Sequence, residues 1–263
     1  MKRYAQYLSL LLLVVSTIVL IGLQIKPLGW ELLAFGALTL LFTQKQFGKD
    51  VLLIYISIAL LGLTRISTDI SYGHMVSMGT FLGLAVGIPY VVSRFVYKDY
   101  LVRFKFHHGR RWFKSEIAYI FATVIVSYFL LPFYLQNTGA YLNWSVAPGF
   151  SNIGRLFIGT NGLGIWDELF FVSTVLGILR RYLNFQVANI LQAVLFTSFL
   201  YELGFTGWGF IMIYIFALIQ GYVFKKTESL FYIITIHLSL DFILFLALIN
   251  AHHPTWMPIF IVK

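Results

Sequence analysis

Residues 229–250 read SLFYIITIHLSLDFILFLALIN, an apolar run that is long enough to cross a bilayer as a helix. A transmembrane helix needs about 20 consecutive, mostly apolar residues. Eight more segments of this character precede it, roughly at 7–25, 28–43, 51–65, 75–96, 117–135, 164–182, 186–203 and 208–224, with 51–65 the shortest. Because backbone polar groups in lipid must be satisfied internally, the pattern predicts an all-α fold. We expect a polytopic transmembrane helical bundle of about eight or nine spans.

The composition supports a membrane protein and excludes several other classes. Of 263 residues, 59% are hydrophobic and 11% are charged, whereas soluble domains are roughly half apolar and a quarter charged. The chain has no cysteine, which excludes disulfides, thiolate catalysis and cysteine-based metal sites. Short alternating segments of the kind found in β-barrels are absent from the sequence.

The net charge of +9 lies mainly between apolar segments, which does not favour a nucleic-acid partner. Fifteen of the 19 Lys and Arg residues fall on one side if the N-terminus is cytoplasmic. Positive-inside bias therefore predicts that the N-terminus is inside and the C-terminus outside. We expect the protein to lie in the plasma (cytoplasmic) membrane. The loop 97–116 is the most basic stretch, with His107, His108, Arg110 and Arg111 near its middle. It is interpreted either as a topology determinant or as a binding site for anionic lipid head groups.

Ionisable residues inside a span are costly and therefore suggest a functional site. Glu31 lies near the start of its helix, where the helix dipole stabilises a carboxylate, so it does not indicate a site. Five others lie on three later helices, and we expect them to face one cavity, with Asp241 one helical turn from His237. A polar plug between helices is the structural alternative. These five residues are Asp167, Glu168, Glu202, His237 and Asp241.

Three amide side chains also lie in the apolar segments. Asn189, Gln192 and Gln220 are expected to make ordinary interhelical hydrogen bonds, with cavity lining as the alternative. The spans carry no Lys or Arg beside the acids, and burial without a cation disfavours the charged form. At least one of Asp167 and Glu168 is therefore expected to be protonated at neutral pH.

Three stretches carry a family resemblance: DELFFV at 167–172, LGILRRYL at 176–183 and ALIQGYVFKKTESLFYIITIHLSLDF at 217–242. They resemble the CPBP family, which comprises the CAAX proteases, the bacteriocin-processing enzymes and lysostaphin resistance protein A-like members. These are intramembrane endopeptidases related to type II CAAX prenyl proteases. Their motifs are Glu-Glu-x-x-x-Arg, Phe-x-x-x-His and His-x-x-x-Asn or Asp. The resemblance implies N-terminal transmembrane helices over 1–135 and a protease core over 155–250, in one continuous membrane domain.

The chain departs from these motifs at three positions. Asp167 stands where the first Glu belongs, and Val172 stands where the Arg belongs. The second motif, LFTSFLYEL at 195–203, has no His, because Leu200 is the fourth residue after Phe196. Glu202 is the nearest ionisable group to that position and is out of register with it.

The resemblance implies a glutamic-type intramembrane endopeptidase that needs no cofactor and cuts a membrane protein or peptide substrate in the bilayer. By this analogy Asp167 or Glu168 is the base. His237 orients the water or protonates the leaving amine, and Asp241 contacts the oxyanion or orients His237. A catalytically impaired scaffold or regulator is the main alternative. A divalent metal held by these residues and Glu202, or a transporter, is a weaker one.

Overall fold

The computed structural model describes residues 2–106, 109 and 111–261, and this part of the chain is helical without strands. Two short 3₁₀ turns, Leu40–Phe42 and Ala140–Asn143, lie between helices. The helices are α1 (Lys2–Gly22), α2 (Lys26–Thr39), α3 (Lys45–Leu63), α4 (Tyr72–Tyr97), α5 (Lys114–Thr138), α6 (Phe150–Leu179), α7 (Phe185–Glu202), α8 (Gly209–Thr227) and α9 (Leu230–His252).

Seven of these helices in the described chain are long and apolar enough to cross a membrane. The two others are α2, which has only 14 residues, and α7, whose apolar run is interrupted by Asn189 and Gln192. The predicted fold class, a polytopic helical bundle, is confirmed. The weakest predicted segment, 51–65, belongs to α3, one of the seven long apolar helices.

The start of α6 differs from the prediction. The helix begins at Phe150 rather than at 164, because the polar and glycine-rich stretch SNIGRLFIGTNGLG at 151–164 lowers hydropathy without breaking the helix. Small residues there let neighbouring helices approach closely. Asp167 therefore lies about 25 Å along α6 from Phe150, at a rise of 1.5 Å per residue. The two acids are in the middle of a long helix and not near its start.

The helix α9 lies at the centre of the site-bearing half, since it packs against both α5 and α6. The helix α7 packs against α8 and against the end of α1. The segment of α9 that carries His237 and Asp241 therefore lies among three other helices, α6, α7 and α8.

The described part of the basic loop packs on the first turn of α9. Leu230 N donates to Lys105 O at 2.8 Å and Phe231 N donates to Phe106 O at 3.1 Å, which satisfies amide groups that a helix start leaves without internal partners. Lys105 also pairs with Glu228 at 2.9 Å. His107, His108 and Arg110 lie outside the described residues, so both interpretations of this loop stay predictions.

A polar cluster links α3 to the turn after α6. Asp50 of α3 is fully buried and accepts hydrogen bonds from Arg181 Nη1 at 3.0 Å, Gln46 Nε2 at 3.0 Å and the Tyr182 hydroxyl. Arg181 also reaches Asp99, after α4, at 3.3 Å. This polar cluster joins the N-terminal helices to the site-bearing helices at one end of the bundle. It consists of Gln46, Asp50, Asp99, Arg181 and Tyr182.

Candidate functional site

Four of the predicted residues come together between α6 and α9. Asp167, Glu168, His237 and Asp241 are each at most 5% exposed. The His237 ring lies among the three carboxyl groups, and the rings of Phe196 and Phe216 pack against it with centroids 6.0 and 5.1 Å away. The cluster is therefore buried and apolar at its sides.

The helix α6 changes its hydrogen-bond pattern at the acidic pair. Residues Glu168–Val175 form a π-helix, and the hydroxyl of Thr174 donates to the carbonyl of Leu169, five residues back, at 2.9 Å. Short π segments in α-helices are frequent at functional sites. Asp167 and Glu168, although consecutive, approach opposite nitrogens of the same His237 ring. No feature of the sequence predicted this π segment.

Glu168 is held on one side of the ring. Its Oε1 lies 2.8 Å from His237 Nδ1 and accepts a hydrogen bond from Gln220 Nε2 at 2.7 Å. Gln220 also donates to Ile233 O at 3.2 Å. Sequence reasoning assigned Gln220 to ordinary interhelical bonding and so missed its contact with a site carboxylate. Its position on the helix before the His237 motif was the available signal.

The other ring nitrogen faces a small cavity. His237 Nε2 is 3.9 Å from Asp167 Oδ2 and 3.8 Å from Asp241 Oδ1, too far for direct hydrogen bonds but suited to a bridging water. Asp167 Oδ1 and Asp241 Oδ2 have no hydrogen-bond partner among the described residues. The cavity measures about 30 Å³ and borders all three residues, which is enough for a water molecule.

The approach of α9 to α6 depends on a glycine. A Cβ at Gly164 would lie 1.9 Å from Asp241 Oδ2 and 3.1 Å from His237 Cδ2. Gly164 is three residues before Asp167, on the same face of α6. A larger residue there would displace the Asp241 carboxyl from the cavity. Sequence reasoning did not single out this glycine, although its spacing from the acidic pair was visible.

Leu200 and Val172 occupy two of the three positions at which the chain departs from the family motifs. Leu200, four residues after Phe196, lines the same cavity as Asp167 and His237, so the position of the missing His faces the cluster. Val172 is fully buried. The rest of the cavity wall is mainly apolar and includes Phe205 and Phe216.

Glu202 does not join the cluster. It is the last residue of α7, it is partly exposed, and it is not among the residues that line the cavity, although Leu200 and Leu203 are. The expectation that Glu202 faces the same cavity is therefore corrected, because Glu202 lies at the partly exposed end of α7 and does not line that cavity.

The other amides behave as expected. Gln192 Nε2 donates to Asn189 Oδ1 at 2.9 Å and to Ala217 O at 3.0 Å, and Asn189 Nδ2 donates to Leu218 O at 2.9 Å. These bonds join α7 to α8 away from the carboxyl groups. The interpretation of Asn189 and Gln192 as interhelical contacts is confirmed.

Within the described chain, no three His, Cys, Asp or Glu residues have an arrangement that would hold a metal ion. Among the described residues, no Lys or Arg lies within ion-pair distance of the three cluster carboxyl groups, and their ion-pair contacts are with His237. Independence from metal stays a prediction, which a chelator can test.

Comparison with known families supports the motif resemblance. Residues 149–243 match the family model described as Type II CAAX prenyl endopeptidase Rce1-like. The match contains Asp167, Glu168, Gln220, His237 and Asp241, and the family resemblance predicted from the sequence is confirmed over this segment. Searches against curated proteins and against solved structures gave no match.

Proposed function

Because residues 149–243 match the type II CAAX prenyl endopeptidase Rce1-like family, we propose that this integral membrane protein is an intramembrane endopeptidase. It hydrolyses a peptide bond of a membrane protein or membrane-proximal peptide. The observation that carries this proposal is the water-sized cavity bordered by Asp167, His237 and Asp241. Two carboxyl oxygens of these residues, Asp167 Oδ1 and Asp241 Oδ2, have no hydrogen-bond partner among the described residues.

In this proposal Asp167, and not Glu168, is the general base. The bonded oxygen of Glu168 is engaged by both Gln220 and His237, and Glu168 does not border the cavity. Asp167 does border it. A water there donates one hydrogen to Asp167 and the other to His237 Nε2, which aligns its lone pair for attack.

The bond changes follow from these positions. The water oxygen bonds to the carbonyl carbon as its proton moves to Asp167, and the C–N bond then breaks as Asp167 passes that proton to the departing amine. A protonated Asp241 donates a hydrogen bond to the oxyanion. In this scheme the buried proton expected from the sequence on Asp167 or Glu168 is assigned to Asp241 instead.

One specific observation favours the second candidate, a catalytically impaired scaffold or regulator. Leu200 faces the cavity at the position where the family motif has a His. A positioned acid–base group typically contributes about 10²–10⁴-fold to a rate, so its loss can leave a slow enzyme or none.

The test is cleavage by the purified chain in detergent or liposomes, with a library of quenched fluorescent peptides and mass spectrometry of the products. We expect Asp167→Asn and His237→Ala to abolish cleavage. We expect the wild-type protein to cleave at the same rate with and without chelator. Glu202→Gln is the matched carboxylate control and should cleave at the wild-type rate. Loss of cleavage in Glu202→Gln, or its survival in Asp167→Asn, contradicts the proposed assignment. Folded wild-type protein that cleaves nothing favours the scaffold.

A further inference from the structure

Gln220 of α8 is a fully buried residue that contacts both site-bearing helices. Its amide donates to Glu168 Oε1 of α6 at 2.7 Å and to the Ile233 carbonyl of α9 at 3.2 Å. We infer that Gln220 is a positioning residue: it holds the Glu168 carboxylate against His237 Nδ1 and so keeps His237 Nε2 free to accept a hydrogen bond in the cavity. This inference deepens the proposed function and rests on it.

The orientation of the Gln220 amide follows from its neighbours. A peptide carbonyl can only accept hydrogen bonds, so the group that meets Ile233 O is the NH₂ and not the amide oxygen. The same NH₂ then meets Glu168 Oε1. Glu168 Oε1 must therefore accept from Gln220, which favours the carboxylate, since a donor strengthens its bond to an ionised acceptor.

Glu168 has few other sources of support. Among the described residues, no Lys or Arg is within ion-pair distance of it, and its second oxygen, Oε2, is buried without a hydrogen-bond partner. The family motif has Arg at the position of Val172, which is apolar and fully buried here. Gln220 supplies a neutral donor from a different helix to this carboxylate.

The state of the His237 ring follows from the state of Glu168. A carboxylate oxygen at 2.8 Å from Nδ1 requires a proton on Nδ1, and in the neutral ring the lone pair is then on Nε2. Nε2 is the nitrogen that faces Asp167 and Asp241. Without the Gln220 donor, a protonated Glu168 can donate to Nδ1, which moves the ring proton to Nε2 and removes the acceptor from the cavity.

The segment that carries Gln220 is itself anchored. The carbonyls of Ala217 and Leu218, less than one turn before Gln220, accept hydrogen bonds from Gln192 and Asn189 of α7. Gln192 is thus a matched control for Gln220. It is the same residue type and equally buried, and it bonds the same helix without touching a site carboxyl.

The experiment is ¹⁵N NMR of histidine-labelled protein in detergent micelles, with the His237 signals assigned by their loss in His237→Gln. In wild type and Gln192→Met, we expect a protonated Nδ1 and an unprotonated Nε2. In Gln220→Met the two ring shifts should move toward each other or exchange. Gln220→Asn, which keeps an amide but withdraws it by one methylene, should give the same change if the Met variant does not fold.

Cleavage provides the second readout. We expect kcat to fall roughly 10–100-fold in Gln220→Met, a typical cost of removing a group that orients a catalytic residue, with KM unchanged, whereas Gln192→Met should retain its kcat. His237 shifts that are the same in wild type and in folded Gln220 variants would overturn the inference. The NMR measurement does not require protease activity. A folded chain without activity would therefore refute the proposed function, whereas the effect of Gln220 on the His237 ring would still be tested by NMR.

Discussion

Gly164→Ala is the most direct test of the packing that forms the site. The new methyl group would lie 1.9 Å from Asp241 Oδ2, whereas real Cβ contacts essentially never fall below 3.0 Å. The Asp241 carboxyl would therefore have to retreat by about 1 Å, a displacement that can cost about 10²-fold in rate. We expect kcat for peptide cleavage to fall by about that factor.

The stability effect has two opposing parts. Overpacking a buried contact costs about 1–3 kcal/mol, while replacing a helical glycine with alanine contributes roughly 0.5–1 kcal/mol of stability. The net expectation is a modest loss, measured as a lower Tm in detergent. The loss of rate should be larger than this loss of stability explains.

Gly162→Ala is the matched control, two residues earlier on the same helix. A Cβ at Gly162 would meet no atom of the described chain within 4 Å. This variant should keep the wild-type rate and have an equal or slightly higher Tm. If Gly164→Ala behaves like Gly162→Ala in both assays, Asp241 is not constrained by α6 and our description of the cavity is wrong.

Three further predictions concern the departures and the topology. Leu200→His should raise kcat by up to about 10²-fold, since the new imidazole reaches the cavity, and an unchanged rate in folded protein would contradict this. Val172→Arg should lower Tm sharply without raising activity, because a guanidinium buried without room or water is costly; a stable, faster enzyme would argue that the Arg reaches Glu168. In this cysteine-free chain, single cysteines at Tyr100 and Trp256 should react with impermeant maleimide from opposite sides of the membrane, and labelling from one side would refute the predicted orientation.

The fold class and most of the cluster were predictable because ionisable residues in long apolar helices are rare and expensive. His237 and Asp241 stand out in their helix for that reason, and Asp167 and Glu168 stand out in theirs. The position of Asp167 and Glu168 along their helix was harder to predict from the sequence. Hydropathy cannot tell a glycine-rich helical stretch from a loop, so the first residue of α6 was missed.

Side-chain direction was the other weak point. Glu202 and Leu200 are two residues apart on α7, yet only Leu200 faces the cavity. The sequence offered Glu202 because of its charge, but near a helix end a carboxyl can turn to water at little cost. Gln220 was undervalued for the opposite reason, since an uncharged amide in a span has many ordinary uses.

The polar cluster between α3 and the turn after α6 determines how the chain can be divided. It consists of Gln46, Asp50, Asp99, Arg181 and Tyr182. Arg181 belongs to the segment that matches the family model, whereas Asp50 belongs to a helix far outside it. A fragment of residues 149–243 alone would lose the carboxylate partners of Arg181 and leave the contact faces of the earlier helices unfilled. We therefore expect the excised fragment to aggregate, and the intact chain to denature in a single cooperative transition.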